Sequence, residues 1–162
     1  MRSQDQLLHS RTRVKPRYAL LPLEGVPLSR LPDWSGVEVR VLAAPVLGAN
    51  FVEYLLDFKS GSSATVKADG RIETFFYVLR GSAKLTIDKS QSHTLTAGGF
   101  ALLPPNASYE LKAAAATKLL MLKKVYEPAT GIATFAPLIG NQSKVKADIY
   151  CGDEGAKHPD RV

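Results

Sequence analysis

Apolar and polar residues alternate with a period of two along much of the chain between residues 37 and 125. Val37, Val39 and Val41, for example, are separated by charged residues, as in a half-buried strand. Many short strands, spaced about 8 to 12 residues apart with no long helical pattern, predict an all-β antiparallel sandwich or barrel. The predicted strands cover residues 17–22, 37–41, 52–58, 64–67, 74–79, 83–88, 92–96, 100–103, 109–112 and 118–125.

Clusters of glycine, proline and serine separate the predicted strands and mark turns, among them residues 45–50 and 60–63. The loop 25–36 carries Trp34, which is the single tryptophan, and we expect its ring to cover one end of the barrel. From residue 141 onward the chain is polar, and we expect it to pack loosely. The predicted organisation is a basic, partly disordered arm at 1–16, a barrel domain at 17–137 and an irregular tail at 138–162.

The overall composition belongs to the globular class. The chain has 162 residues, of which 45% are hydrophobic, and this length suffices for one domain with an apolar core. Its apolar runs are far shorter than the roughly 20 residues needed to span a bilayer, and no apolar core of a signal peptide is seen. One cysteine excludes an internal disulfide framework. We therefore expect an intracellular, cytoplasmic protein without a membrane segment.

Positive charge is concentrated at the N-terminus. Residues 1–17 hold five basic side chains and one acidic side chain, which accounts for +4 of the net charge of +6. Such an arm can contact phosphates, but no aromatic residue precedes Tyr18, and stacking on aromatic rings is what single-strand binding requires. This pattern favours a solvated leader over a nucleic-acid arm.

Two punctuated stretches are the strongest local signals. In the first, an aromatic and β-branched run over residues 73–79 stops at Gly81, and a new alternation begins; this predicts strand, tight turn, strand. In the second, a glycine pair at 98–99 leads into an apolar run that ends at Pro104 and Pro105. Together the two stretches resemble the two motifs of the cupin superfamily, which implies a single jelly-roll β-barrel.

The cupin resemblance also indicates where metal ligands are expected. Cupins in general carry a His-x-His pair and a glutamate before the glycine of the first motif, and a histidine in the second motif. Here these positions fall on Ala68, Gly70, Thr74 and Tyr109. None of the four is a useful ligand for a divalent first-row metal. The resemblance therefore implies a barrel that binds no metal and no other cofactor.

A narrower resemblance covers residues 17–137. In order along the chain, five blocks are similar to the first half of the (S)-ureidoglycine aminohydrolase family, whose members have two cupins and act in allantoin and purine catabolism. The family's first cupin lacks a metal, whereas its second binds manganese through Glu, His and Gln and releases ammonia from ureidoglycine. The blocks are residues 18–22, 31–34, 45–55, 72–81 and 103–106.

This chain departs from the family because it ends at Val162, so no catalytic residue carries over from the second cupin. The resemblance implies a metal-free structural half, a truncated two-cupin protein that is inactive alone. We expect it to pair with a second cupin chain or with itself, because a single half would expose an apolar face.

An alternative function is a cupin that binds a small ureide or carboxylate without catalysis. Asp69, Arg71 and Glu73 precede the strand of the first motif, where Arg71 could meet a carboxylate and Glu73 an amine or urea group. Tyr77, Tyr109 and Arg80 are further candidates, since a tyrosine hydroxyl in an apolar barrel requires a partner. The charged residues could equally be solvated loop residues.

Other candidate metal-binding or catalytic residues give weaker signals. The three histidines, His9, His93 and His158, are dispersed along the chain, and His93 is predicted to lie at the surface or on an edge strand. Cys151 and His158 would supply only two ligands, which is a weak signal for a metal. No serine lies in a nucleophile elbow, and no phosphate-binding glycine loop is present.

Overall fold

The computed structural model describes residues 13–15, 18–131 and 133–146, and nearly all of its regular structure is β-strand. Within these ranges, three single turns of 3₁₀ helix lie at Leu23–Gly25, Pro45–Leu47 and Gln142–Lys144. The strands are β1 Arg13–Lys15, β2 Tyr18–Leu20, β3 Leu28–Ser29, β4 Trp34–Ala43, β5 Val52–Val66, β6 Ile72–Arg80, β7 Ser82–Ile87, β8 Gln91–Thr96, β9 Gly99–Leu103, β10 Tyr109–Ala113, β11 Thr117–Val125 and β12 Leu138–Asn141.

Strand β5 joins the two halves of the main sheet. Along one edge it pairs with β4; along the other it pairs first with β11 and then, past a bend near Gly61, with β10. The path of hydrogen-bonded strands is β12-β9-β6-β11-β5-β10-β7-β8, and β3 pairs with β4 beside it. This sheet curls into a nearly closed antiparallel barrel, which confirms the predicted all-β fold.

The predicted turn at residues 60–63 is wrong, because these residues lie inside β5. Gly61 supplies the bend with a φ of 74°. The buried Ser62 hydroxyl donates to the Gly36 carbonyl at 2.7 Å, and this bond ties the bend to the neighbouring strand. A serine and glycine cluster that reads as a turn is therefore accommodated within one long strand.

The core lies between the two curled halves of the sheet and is built from alternate residues of each strand. On β6, Thr74, Phe76 and Val78 point inward, and on β11 Leu119 and Met121 do the same. The apolar side chains among these each contribute about 1.5 to 3 kcal/mol when fully buried. Trp34, which was expected in a loop, is the first residue of β4; it packs against this core with its ring 6.1 Å from that of Phe58.

The turn of the first motif is formed as predicted, with Gly81 between β6 and β7 at a φ of 84°. Thr117 is buried, with 2% of its surface exposed. Its hydroxyl accepts a hydrogen bond from the Ser82 N–H and donates one to the Ser82 carbonyl. This pair of bonds fixes the turn to the start of β11.

The sheet continues past the predicted domain boundary at residue 137. Leu138–Asn141 forms β12, which pairs with β9, and the Tyr77 hydroxyl bonds to Gln142 just beyond it. At the other end, Arg13–Lys15 of the predicted arm pairs with β2 as a small separate sheet. The rest of the arm, with His9, and the tail residues Cys151 and His158 lie outside the described residues. In the part of the chain that the structure describes, no helix has the length and apolarity needed to cross a membrane.

Candidate functional site

A cavity of about 330 Å³ opens at one end of the barrel, which we call the barrel mouth. Strands β5, β6 and β11 form its walls, and the second motif forms part of its rim. Most of its wall is apolar, and a few polar groups converge on it, as in typical small-molecule sites. Its lining residues are Pro45, Asn50, Phe51, Val52, Tyr54, Val66, Lys67, Asp69, Ile72, Thr74, Pro105, Ala107, Tyr109, Lys123, Lys124 and Val125.

Thr74 and Tyr109 lie together in the inner part of the mouth, and each is 4% exposed. The Tyr109 hydroxyl donates to the Met121 sulfur at 3.8 Å, and its ring meets Phe76 edge to face at 5.1 Å. Burial raises the pKa of the Tyr109 hydroxyl, and a hydrogen bond with Thr74 opposes that rise in part. The two residues thus form a neutral, packed pair.

These positions do not fit a divalent first-row metal. Thr74 and Tyr109 supply only neutral hydroxyls, and Ala68 and Gly70 supply no side-chain donor. Across residues 13–15, 18–131 and 133–146, no group of three or more His, Cys, Asp or Glu side chains could hold a metal ion.

Lys123 supplies a positive charge at the mouth. It continues the inward alternation of Leu119 and Met121 on β11, and it lies opposite Thr74 in the register with β6. Burial lowers the pKa of the Lys123 ammonium, and the carboxylate of Asp69 opposes that change. Within the described residues, this ammonium has no hydrogen-bond or ion-pair partner.

Two backbone hydrogen bonds hold the loop between β5 and β6 in place at the mouth. The Gly70 N–H donates to the Pro105 carbonyl at 2.9 Å, and the Tyr126 N–H donates to the Arg71 carbonyl at 2.7 Å. The loop is thereby attached both to the second motif and to the end of β11. This attachment positions Asp69 on the lining of the cavity.

The structure does not bring the five predicted ligand-binding residues to one place. Asp69 and Tyr109 line the cavity. Arg71 is 80% exposed and forms an ion pair with Asp69 at 3.2 Å. Glu73 and Tyr77 alternate with the inward Thr74 and therefore face the outside of the sheet, where the Tyr77 hydroxyl bonds to Gln142.

Two other predicted residues also lie away from the cavity. Arg80 is exposed at the end of β6. His93 lies on β8, the last strand of the sheet path, so the edge-strand prediction is confirmed. Its Nε2 atom is buried and has no hydrogen-bond partner among the described residues.

Sequence reasoning missed Lys123 and Tyr54 as lining residues. Burial raises the pKa of the Tyr54 hydroxyl. The signal for both was present in the alternation, since Lys123 follows Leu119 and Met121 at a spacing of two, and Tyr54 precedes Leu56 and Phe58 in the same way.

Comparison with known proteins agrees with this architecture. The EutQ-like cupin domain family matches residues 48–126. An (S)-ureidoglycine aminohydrolase of Arabidopsis thaliana is 32% identical over 141 residues, which are 87% of this chain and 47% of that protein. The enzyme of the same name from Escherichia coli is 29% identical over 153 residues, 91% of this chain and 58% of that protein.

A solved structure supports the same conclusion. The crystal structure of the Escherichia coli protein Ylba superposes with a TM-score of 0.77 at 28% identity, covering 89% of this chain and 60% of that one. The chain thus spans about half the length of the curated relatives it matches. The predicted jelly-roll fold and the predicted sequence resemblance are both confirmed.

Proposed function

We propose that this chain, which is a cupin homologous to the (S)-ureidoglycine aminohydrolases over most of its length, is a metal-free structural cupin that supports a metal-binding cupin in that reaction. One observation carries the proposal. The positions where cupins place their metal ligands hold Ala68, Gly70, Thr74 and Tyr109, and the last two are packed as a neutral buried pair. In the family, the metal that acts on ureidoglycine belongs to the second cupin, so catalysis would depend on that domain.

The outer face of the sheet offers a surface for such a partner. Phe75, Leu102, Leu122 and Leu138 are register partners across β6, β9, β11 and β12, and they form an apolar row on the outside. Leu138 is 56% exposed, and the ring of Phe75 stacks with that of Phe100 at 6.4 Å. The other three residues of the row are partly buried. A partly exposed apolar row on a sheet face is a candidate interface, and the relatives have a further half of their length with which to cover it.

The test is ammonia release from ureidoglycine in the presence of manganese. We expect none from the purified chain alone. We expect release when the chain replaces the matched part of the Escherichia coli enzyme, because the remaining part of that enzyme would supply the metal site. Ammonia release by the chain alone, in a preparation free of other enzymes, would contradict the proposal, as would a folded but inactive chimera.

A pair of variants tests whether the apolar row binds the partner. Leu102→Glu places a charge in the apolar row, whereas Thr94→Glu places one on the exposed side of β8. Sedimentation with the remaining part of the Escherichia coli enzyme as a separate chain should show association lost in the first variant and kept in the second. The isolated chain is expected to self-associate through the same row, which light scattering at high concentration measures.

A further inference from the structure

Lys123 is the half-buried cation of the barrel mouth that lacks a partner of its own, whereas Lys67, the other lining lysine without an ion pair in the described residues, is exposed. Lys124 forms an ion pair with Glu127 at 3.5 Å, and Arg71 forms one with Asp69, but the Lys123 ammonium has neither a hydrogen bond nor an ion pair within the described residues. A half-buried ammonium without a partner is unfavourable, because burial removes water that it would otherwise bind. An anionic ligand would remove that penalty.

The charge of the lining favours an anion. Lys67 and Lys123 contribute ammonium groups without an ion pair in the described residues, whereas Lys124 is paired with Glu127 and the single lining carboxylate, Asp69, is paired with Arg71. The hydroxyls of Thr74 and Tyr109 add neutral groups near the Lys123 side of the cavity. A cation would meet repulsion at this mouth, whereas an anion would meet an ammonium and hydroxyl groups.

The size and surface of the cavity restrict the anion further. A volume of about 330 Å³ lies at the low end of the roughly 300 to 1,000 Å³ of ligand pockets, so the ligand is small. Phe51, Ile72 and Ala107 contribute apolar surface to the wall, which suits a short hydrocarbon body better than an inorganic anion that needs donors on every side. We infer that the barrel mouth binds a small organic carboxylate through the Lys123 ammonium, with the body of the ligand against the apolar wall. This site needs no second cupin, so its test is independent of the function proposed above.

The experiment compares three probes on the full chain by calorimetry and thermal shift: butyrate, its uncharged amide butyramide, and inorganic phosphate. We expect butyrate to bind and to raise the melting temperature, with butyramide and phosphate binding much more weakly. Lys123→Met should weaken butyrate binding by about 10- to 150-fold, because it removes one charge-assisted hydrogen bond. The matched control Lys84→Met removes an exposed lysine of β7 and should leave binding unchanged.

A second readout does not depend on any variant folding. In the wild-type chain with ¹³C-labelled lysine, butyrate should shift the Lys123 side-chain resonance and raise the pKa measured from it, while butyramide should not. Absence of butyrate binding, an equal loss in Lys84→Met, or a Lys123 resonance indifferent to butyrate would overturn the inference. Phosphate binding as tight as butyrate binding would overturn the assignment to a carboxylate.

Discussion

Gly81 provides a test of how the turn of the first motif is held. Its φ is 84°, and a Cβ at this position would lie 2.7 Å from the Thr117 hydroxyl oxygen and 2.8 Å from the Ala116 carbonyl oxygen. Gly48 has nearly the same φ, 87°, but a Cβ there would meet no atom within 4 Å. An alanine would therefore suffer the same backbone strain at both positions, but only at Gly81 would its Cβ come too close to neighbouring atoms.

The expected magnitudes follow from these two effects. An L-residue in the left-handed region costs about 1 to 2 kcal/mol, and this applies to both Gly81→Ala and Gly48→Ala. The close contact at Gly81 adds an overpacking cost of about 1 to 3 kcal/mol, because one neighbour is a backbone carbonyl and the other is the Thr117 hydroxyl that bonds to Ser82. We expect Gly81→Ala to lose roughly 2 to 5 kcal/mol of unfolding free energy in total.

Urea unfolding of both variants and the wild type measures this difference. Gly81→Ala should be at least about 1 kcal/mol less stable than Gly48→Ala. If the two variants have the same midpoint and slope, the contact with residues 116 and 117 contributes nothing, and the account of this turn is refuted.

Three further predictions concern single side chains. Lys123→Met should raise the unfolding free energy near pH 7 by about 1 kcal/mol, which is the low end for replacing a buried charge because this charge is half-buried. Since burial lowers the folded-state pKa of Lys123, the stability of the wild type should rise as the pH approaches the ordinary lysine pKa. Melting temperatures of the two proteins, measured from neutral to alkaline pH, should therefore converge. Tyr109→Phe should cost about 1 kcal/mol in urea unfolding, because the hydroxyl loses its contacts with Met121 and Thr74; an unchanged midpoint would contradict this. Tyr77→Phe removes the bond to Gln142, so amide exchange should accelerate in β12, and equal acceleration throughout the sheet would argue against this local role.

The strands were predictable because most of them are buried on one face only, so the chain alternates visibly. Strands β6, β7 and β11 follow this rule, with buried residues at every second position. This alternation did not predict the strand at residues 60–63. The serine and glycine residues there indicated a turn, but pairing with β4 and β10 keeps them in β5. The alternation also did not predict β12, because this strand has only four residues and forms by pairing with β9, which is distant in sequence.

The site was less predictable because strand phase decides which neighbours face the cavity. Thr74 points inward, so Glu73 on the same strand must point outward, although the two are adjacent in sequence. Arg71 and Glu73 are close to the first motif along the chain, whereas Lys123 comes from a strand about fifty residues later and lies opposite Thr74 only through the register. A charged residue that continues an inward alternation is the sequence signal that would have identified it.

The residues at the positions of the cupin metal ligands and the charge of Lys123 both bear on whether the mouth could hold a metal. A sphere of about 330 Å³ has a diameter of roughly 9 Å, which sets the scale of the distance between a divalent cation and an ammonium that both entered the mouth. At that distance and an effective dielectric constant near 20, their repulsion would be roughly 4 kcal/mol. A metal at this mouth would therefore need a set of ligands whose binding offsets this repulsion. Thr74 and Tyr109 provide no such ligands, so neutral groups or an anion match the charge of Lys123 better than a metal does.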